Sequence, residues 1–353
     1  ASDLKIDYAK KIMTIGNHKF KEGDFMAIDG FTGEVYGESV AVKPSEILQV
    51  LNGKLKEKNS LLARQYLQFM ATVDRARRLK VRTNADTPND TEVAVRFGAE
   101  GIGLCRTEHM FFGGERIVAM REMILAETLP ERQKALAKLL PMQRSDFVGI
   151  FKALKGLPAT IRLLDPPLHE FLPHDEAGQR EVAKQLGIKV QKVAEKVKAL
   201  HEMNPMLGFR GCRLSVVYPE ILDMQVRAII EAALKVIKGG GKAEPEIMIP
   251  LIGSVKELVI CKQQTLKTIE AVLSKQKASL SYKIGTMIEV PRAAITADEI
   301  AREAEFFSFG TNDLTQMTCG FSRDDAGSFL PAYVQQGIYD YEPFAVLDQA
   351  GVG

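Results

Sequence analysis

Two acids, Glu289 and Asp313, and three arginines, Arg106, Arg162 and Arg210, have the type and placement to do chemistry. Glu289 and Asp313 are 24 residues apart, the span of one strand–helix–strand repeat, and each follows an apolar run at the end of a predicted strand. On adjacent strands such a pair suits a hard divalent cation, because Mg²⁺ takes one or two protein carboxylates and leaves its other positions to water and substrate oxygens. Each acid could equally cap the helix that follows or pair with an arginine. Gly310-Thr311-Asn312-Asp313 would let backbone N–H groups approach an anion, or simply turn a strand into a helix. An arginine closing an apolar strand is costly to place unless it meets an anion or a carboxylate, and its planar fork fits either one bidentately. Arg106 and Arg162 therefore read as anion binders, with ion pairs to Asp165 or Glu108 as the plainer alternative. Two arginines converging on two carboxylates and a metal would describe a pocket for a small phosphorylated acid.

Such convergence needs a fold that gathers strand ends. Short apolar segments recur at 81–86, 101–107, 159–165, 206–212, 246–252, 283–290 and 306–313. Helical periodicity separates them, at about 89–97, 115–139, 145–155, 176–203, 219–237, 254–275 and 292–303. Strand–helix alternation predicts a parallel sheet, either open and doubly wound or closed as a (β/α)8 barrel. Five of the seven strands end in a charged or amide residue. In a barrel all carboxyl ends share one mouth, whereas in an open sheet only strands beside the switch point meet. The barrel is favoured. Seven strands leave it one short, so the last strand–helix unit is expected to be missing. Residues 20–40 alternate around Asp29-Gly30 and Thr32-Gly33 as hairpins do. The first 45 residues read as the tail of a β-containing domain, followed by a helix over about 61–79.

Composition bounds the rest. The 353 residues are 46% hydrophobic and 26% charged, with 28 glycines and 15 prolines, which excludes a disordered tail, a fibre and a disulfide-dense mini-protein. A net charge of +2 gives no bulk attraction to nucleic acid or anionic lipid. No apolar run is long enough to span a membrane. The four cysteines, at 105, 212, 261 and 319, form no metal or disulfide pattern and read as reduced thiols, which predicts a cytoplasmic protein. Cys105 should point away from Arg106 by strand alternation and pack in the core. Residues 239–243 lack the Lys-Ser/Thr pair of a phosphate loop and read as a flexible connection. The five histidines show no metal spacing; His109 and His169 follow arginine-bearing strands and read as surface or core residues.

These residues resemble the phosphoenolpyruvate-utilising enzymes, and among them most closely the pyruvate, phosphate dikinases. The run from Ser308 through Gly310-Thr311-Asn312-Asp313 to Thr318 is like the signature the whole group shares. Gly103-Leu104-Cys105-Arg106-Thr107-Glu108, the stretch from Thr160 through Arg162 and Asp165 to Pro173, and Gly208-Phe209-Arg210-Gly211-Cys212 with Tyr218-Pro219-Glu220 are similar to the dikinases in particular. Phosphoenolpyruvate synthase and the first enzyme of the bacterial sugar phosphotransferase system match these segments less well.

The resemblance implies three regions: residues 1–45 as the end of a swivelling phosphohistidine domain, 46–70 as linker and helix, and 71–353 as the phosphoenolpyruvate/pyruvate-binding TIM-type barrel. It implies substrate contacts from Arg106, Arg162, Asp165, Arg210, Glu289, Gly310, Thr311, Asn312 and Asp313, with Mg²⁺ on Glu289 and Asp313. In the family the reaction interconverts ATP, pyruvate and phosphate with AMP, phosphoenolpyruvate and diphosphate. The phosphorylated histidine, the proton-donating cysteine and the ATP-grasp domain of that family are not in this chain. No catalytic group proper is therefore assigned here, and the isolated chain is expected not to turn over. A homodimer is expected, and a plastid or glycosome address would be carried on segments outside the chain. The alternatives are phosphoenolpyruvate synthase, a metal-dependent enolate lyase on the same barrel, and a non-catalytic dimerisation platform.

Overall fold

The computed structural model describes residues 4–8 and 10–353, in two compact units that divide after Arg77. The first unit is mainly antiparallel. Strands β1 (Leu4–Asp7), β2 (Ile12–Ile15) and β3 (His18–Lys21) form a meander, and β4 (Ala27–Ile28) pairs with β5 (Val35–Tyr36) in the predicted hairpin. Asp29 makes the hairpin turn: its Oδ1 accepts the N–H groups of Phe31 and Thr32, at 2.8 and 3.2 Å. The β2–β3 turn at Gly16-Asn17 carries a left-handed glycine with φ +54°. That dipeptide is a hairpin signal the periodicity did not expose. Helix Leu61–Ala76 follows, capped by the Ser60 hydroxyl on the N–H of Ala63.

The second unit is built on a six-stranded parallel sheet of β6 (Thr83–Asn84), β7 (Ile102–Arg106), β8 (Pro158–Arg162), β9 (Glu244–Ile249), β10 (Lys283–Ile288) and β11 (Phe307–Phe309). The strands lie in strict chain order, β6 to β11. A doubly wound sheet would reverse that order at its switch point, whereas sequential order is that of a (β/α)8 barrel. The unit is thus a partial TIM-type barrel. Buried runs such as Ile284–Ile288 have no polar alternation because they are covered on both faces. Their outer face packs with Cys105, Ile161, Ile229 and Leu258 in one apolar core, while Phe111, Met120, Leu139 and Phe171 anchor a second core.

Three expectations change. Residues 206–212 form no strand: a 3-10 turn at Pro205–Leu207 leads through Gly211 into helix Cys212–Val217. β8 and β9 pair directly, and the segment crosses their carboxyl ends, where the N–H of Gly211 donates to the Asp165 carbonyl and that of Cys212 to the Pro250 carbonyl. The expected helices 115–139 and 145–155 instead divide at 126–128, and Leu129–Leu154 runs unbroken through Pro141. The Thr128–Glu131 capping box starts it, and burial of Leu139, Phe147, Ile150, Phe151 and Leu154 outweighs the missing N–H of the proline. The pattern at 176–203 divides at Gly187, φ +65°, into helices Glu176–Leu186 and Val190–Leu200.

Candidate active site

The sheet's inner face is layered by its register. Thr160 on β8, Glu246 on β9 and Lys283 on β10 are register neighbours, and Arg82 joins them from just before β6. Arg82 Nη1 lies 2.5 Å from Glu246 Oε2, the Thr160 hydroxyl donates to the same oxygen at 2.7 Å, and Lys283 Nζ is 3.4 Å from Oε1. Burial would raise the Glu246 carboxyl, but these donors outweigh it and hold the group below its ordinary value. This satisfied polar layer is the floor beneath the strand ends, and the sequence reading did not single it out.

The next layer towards the carboxyl ends holds the predicted residues. Arg106 and Arg162 end β7 and β8 and are register partners, so both project to the inner face. Cys105, one residue back, is fully buried in the outer core, as alternation requires. The backbone N–H of Arg106 donates to Asp86 Oδ1 at 2.6 Å, and Asp86 Oδ2 lies 2.7 Å from His109 Nδ1. Arg162 is gripped from two sides, with Nη2 donating to Glu108 Oε1 at 2.5 Å and Nη1 2.9 Å from Asp165 Oδ2. Arg210 arrives from the crossing segment rather than from a strand. Its Nη2 lies 2.5 Å from Asp165 Oδ2 and 3.4 Å from Asp313 Oδ2.

Glu289 directly follows β10 and is 1% exposed. Its Oε1 accepts the N–H of Leu251 at 2.6 Å. Asp313 lies in the first turn of helix Thr311–Cys319, whose N-cap, Gly310, offers no side chain. Gly310 sits so close to Glu289 that a Cβ there would stand 2.6 Å from the Glu289 Cβ and Oε2. Only glycine lets the two strand ends approach this far. Asn312 holds Asp313 Oδ1 loosely, at 3.5 Å, and accepts from Arg323 at 3.3 Å; Thr311 is exposed. Beside the cluster lies a cavity of about 810 Å³, lined by Glu170, Met206, Gln316, Met317 and Phe321 among others.

The electrostatics of this cluster are unbalanced. Glu108, Asp165, Glu289 and Asp313 face Arg162 and Arg210. With all four carboxyl groups ionised, two guanidiniums leave an excess of two negative charges, the charge of one divalent cation; without a cation Glu289 keeps its proton instead. Burial and the carboxylates of Asp165 and Asp313 push Glu289 up to about 8, against the pull of Arg162 and the Leu251 N–H. Both arginines are held above their ordinary values, because the surrounding carboxylates outweigh a burial that works the other way. Asp165 Oδ1, Arg162 Nε and Arg210 Nε are buried without a protein partner. Among the described residues no group of three or more His, Cys, Asp or Glu is arranged to hold a metal. Two carboxylates suffice for Mg²⁺, which keeps water and substrate oxygens in its remaining positions.

The structure thus brings Arg162, Asp165, Arg210, Glu289, Gly310 and Asp313 together, with Arg106 on the same inner face and Thr311 and Asn312 at the rim. Glu108 was expected only as an alternative ion-pair partner of the arginines, and it does pair with Arg162; Arg82 and Glu246, the floor, were not identified from sequence as parts of the assembly. Their signal was present in charged residues placed inside or next to apolar strands. His109 is half-exposed and paired with Asp86, while His169 has a buried Nδ1 without a partner.

An arginine- and carboxylate-lined mouth on a partial barrel defines a class, and comparison with known proteins gives the same one. The PEP-utilising enzyme, PEP-binding domain family matches residues 61–353, and the chain belongs to that family. Its relatives include the pyruvate, phosphate dikinase of Clostridium symbiosum, 51% identical over 99% of this chain and 39% of the relative. The pyruvate, phosphate dikinase of Giardia intestinalis is 52% identical over the whole chain and 38% of the relative. The chloroplastic pyruvate, phosphate dikinase 1 of Arabidopsis thaliana is 51% identical, again over the whole chain, and 35% of the relative is covered. The chain therefore spans little more than a third of these curated relatives. No helix among the described residues is long and apolar enough to cross a membrane.

Proposed function

We propose that this chain carries the phosphoenolpyruvate/pyruvate site of a pyruvate, phosphate dikinase. The reaction there is phosphoryl transfer between phosphoenolpyruvate and an enzyme histidine, within the overall conversion of ATP, pyruvate and phosphate to AMP, phosphoenolpyruvate and diphosphate. The observation that carries the reading is the meeting of Arg162, Arg210, Asp165, Glu289 and Asp313 at the strand ends, from positions up to 151 residues apart.

Glu289 and Asp313 would hold Mg²⁺, which when bound supplies positive charge to the enolate and phosphoryl oxygens. Arg106 and Arg162 neutralise the transferring phosphoryl group. Arg210 ties Asp165 to Asp313 and so keeps two strand ends in register with each other. Gly310 spends its own N–H on the Ile288 carbonyl, and the uncapped first turn that follows presents the backbone N–H groups of Thr311 and Asn312 to an anion. Phosphoryl transfer asks little covalent work of the protein, so positioning and charge stabilisation are what these residues contribute.

The domain scheme proposed with this function has residues 1–45 as the end of a swivelling phosphohistidine domain, 46–70 as linker and helix, and 71–353 as the barrel. The partners proposed are that domain, an ATP-grasp domain and a second copy of the chain in a homodimer. The four cysteines are free thiols, three of them buried, which supports a reducing, cytoplasmic or organellar, compartment. Calorimetric titration of phosphoenolpyruvate with and without MgCl₂ tests the assignment. Glu289→Ala is expected to abolish the Mg²⁺-dependent part of the binding heat, and unchanged affinity in the variant would remove Glu289 from the metal site.

A further inference from the structure

The 3-10 turn Thr107–Phe111 follows Arg106 directly, and its second residue reaches across to the neighbouring strand end. Glu108 is 6% exposed. Its Oε1 and the Asp165 carboxylate hold the two terminal nitrogens of Arg162, which fixes both the plane and the direction of the guanidinium. A guanidinium has five N–H donors. Two are spent on these carboxylates, leaving Nε–H and one on each terminal nitrogen for phosphoryl oxygens. Nε is buried without a protein partner, as is Glu108 Oε2.

A second brace holds the turn itself. The amide of Gln225, 1% exposed on helix Pro219–Lys238, donates to the Thr107 hydroxyl at 2.9 Å. The oxygen of the same amide accepts the N–H of Leu164 at 2.8 Å. The turn after β7 and the segment after β8 are thus tied together twice, once by charge through Glu108 and once by a neutral buried amide. A long side chain held in advance does not lose its rotamer freedom when the ligand arrives.

We propose that Glu108 is a positioning residue for the phosphoryl transfer, acting through Arg162. The inference rests on the site assigned above and deepens it by naming what aligns its central arginine.

The test uses the complete enzyme that carries this chain, with steady-state kinetics on phosphoenolpyruvate and a melting curve for each variant. Glu108→Ala and Glu108→Asp are expected to lower kcat about 10- to 100-fold, the usual loss when the partner that orients a site residue is removed. Glu108→Asp keeps the charge but draws it back by one methylene. Glu108→Gln keeps an oxygen where Arg162 donates and is expected to stay within about threefold of wild type. In an Arg162→Lys background the Glu108→Asp loss should disappear, since coupled residues are not additive. Additive losses, or wild-type kcat in Glu108→Asp, would overturn the proposal, and so would a lowered melting temperature with unchanged kcat. If Arg162→Lys alone leaves both kcat and KM untouched, the site assignment itself fails, which is a different result.

Discussion

Replacing Glu289 by glutamine should make the protein more stable, and increasingly so as the pH rises. Glu289 is 1% exposed, lies near two other carboxylates, and is pushed up to about 8 from an ordinary 4.5. In the unfolded chain it releases its proton near 4.5, while the folded protein keeps that proton until about 8. Between those values the folded state binds more protons than the unfolded state, so stability falls as the pH rises. The contribution is absent below 4.5 and fully unfavourable above 8. At about 1.4 kcal/mol per tenfold in proton affinity, the gap corresponds to a destabilisation of roughly 5 kcal/mol. Glutamine carries no charge, keeps an oxygen for the Leu251 N–H, and directs its amide towards Asp165 and Asp313. The difference in urea unfolding free energy, variant minus wild type, should therefore be near zero at pH 4.5 and climb to several kcal/mol by pH 9. Adding MgCl₂ should shrink it, because a cation on Glu289 and Asp313 stabilises only the carboxylate form. A difference that stays flat from pH 4.5 to 9, or equal Mg²⁺ stabilisation of both proteins, would refute the reasoning.

Two further perturbations probe the same cluster. Asp165→Ala removes the shared partner of Arg162 and Arg210 and should cost about 3–5 kcal/mol in urea unfolding, the penalty for stranding buried charge; a loss under about 1 kcal/mol would mean that the arginines find other partners. Gly310→Ala places a Cβ 2.6 Å from Glu289 and should cost about 1–3 kcal/mol while weakening Mg²⁺-dependent phosphoenolpyruvate binding in calorimetry; wild-type affinity would show that the strand ends can part without harm.

Some of this protein could be read along the chain and some could not. The alternation of apolar strand and helical pattern marked all six strands of the parallel sheet, though not the meander β1 to β3, and the polar residues at the parallel strand ends marked the mouth. Both are local signals, fixed by which side chains can sit on a covered parallel strand and which cannot. The segment at 206–212 shows where local reading stops. It has the apolar content of a strand, but β8 and β9 take each other's backbone hydrogen bonds, so it crosses above them and delivers Arg210 to Asp165 and Asp313 from a loop. Pro141 shows the converse, since a local helix breaker was overruled by the apolar face buried around it. The partnerships within the site, Glu108 with Arg162, Arg210 with two acids, and Glu289 with the Leu251 N–H, join residues 38 to 103 positions apart. Chain pattern supplied the kinds of group that gather at the strand ends; the register of the folded sheet decided which of them touch, because distance through space is not encoded by spacing in the chain.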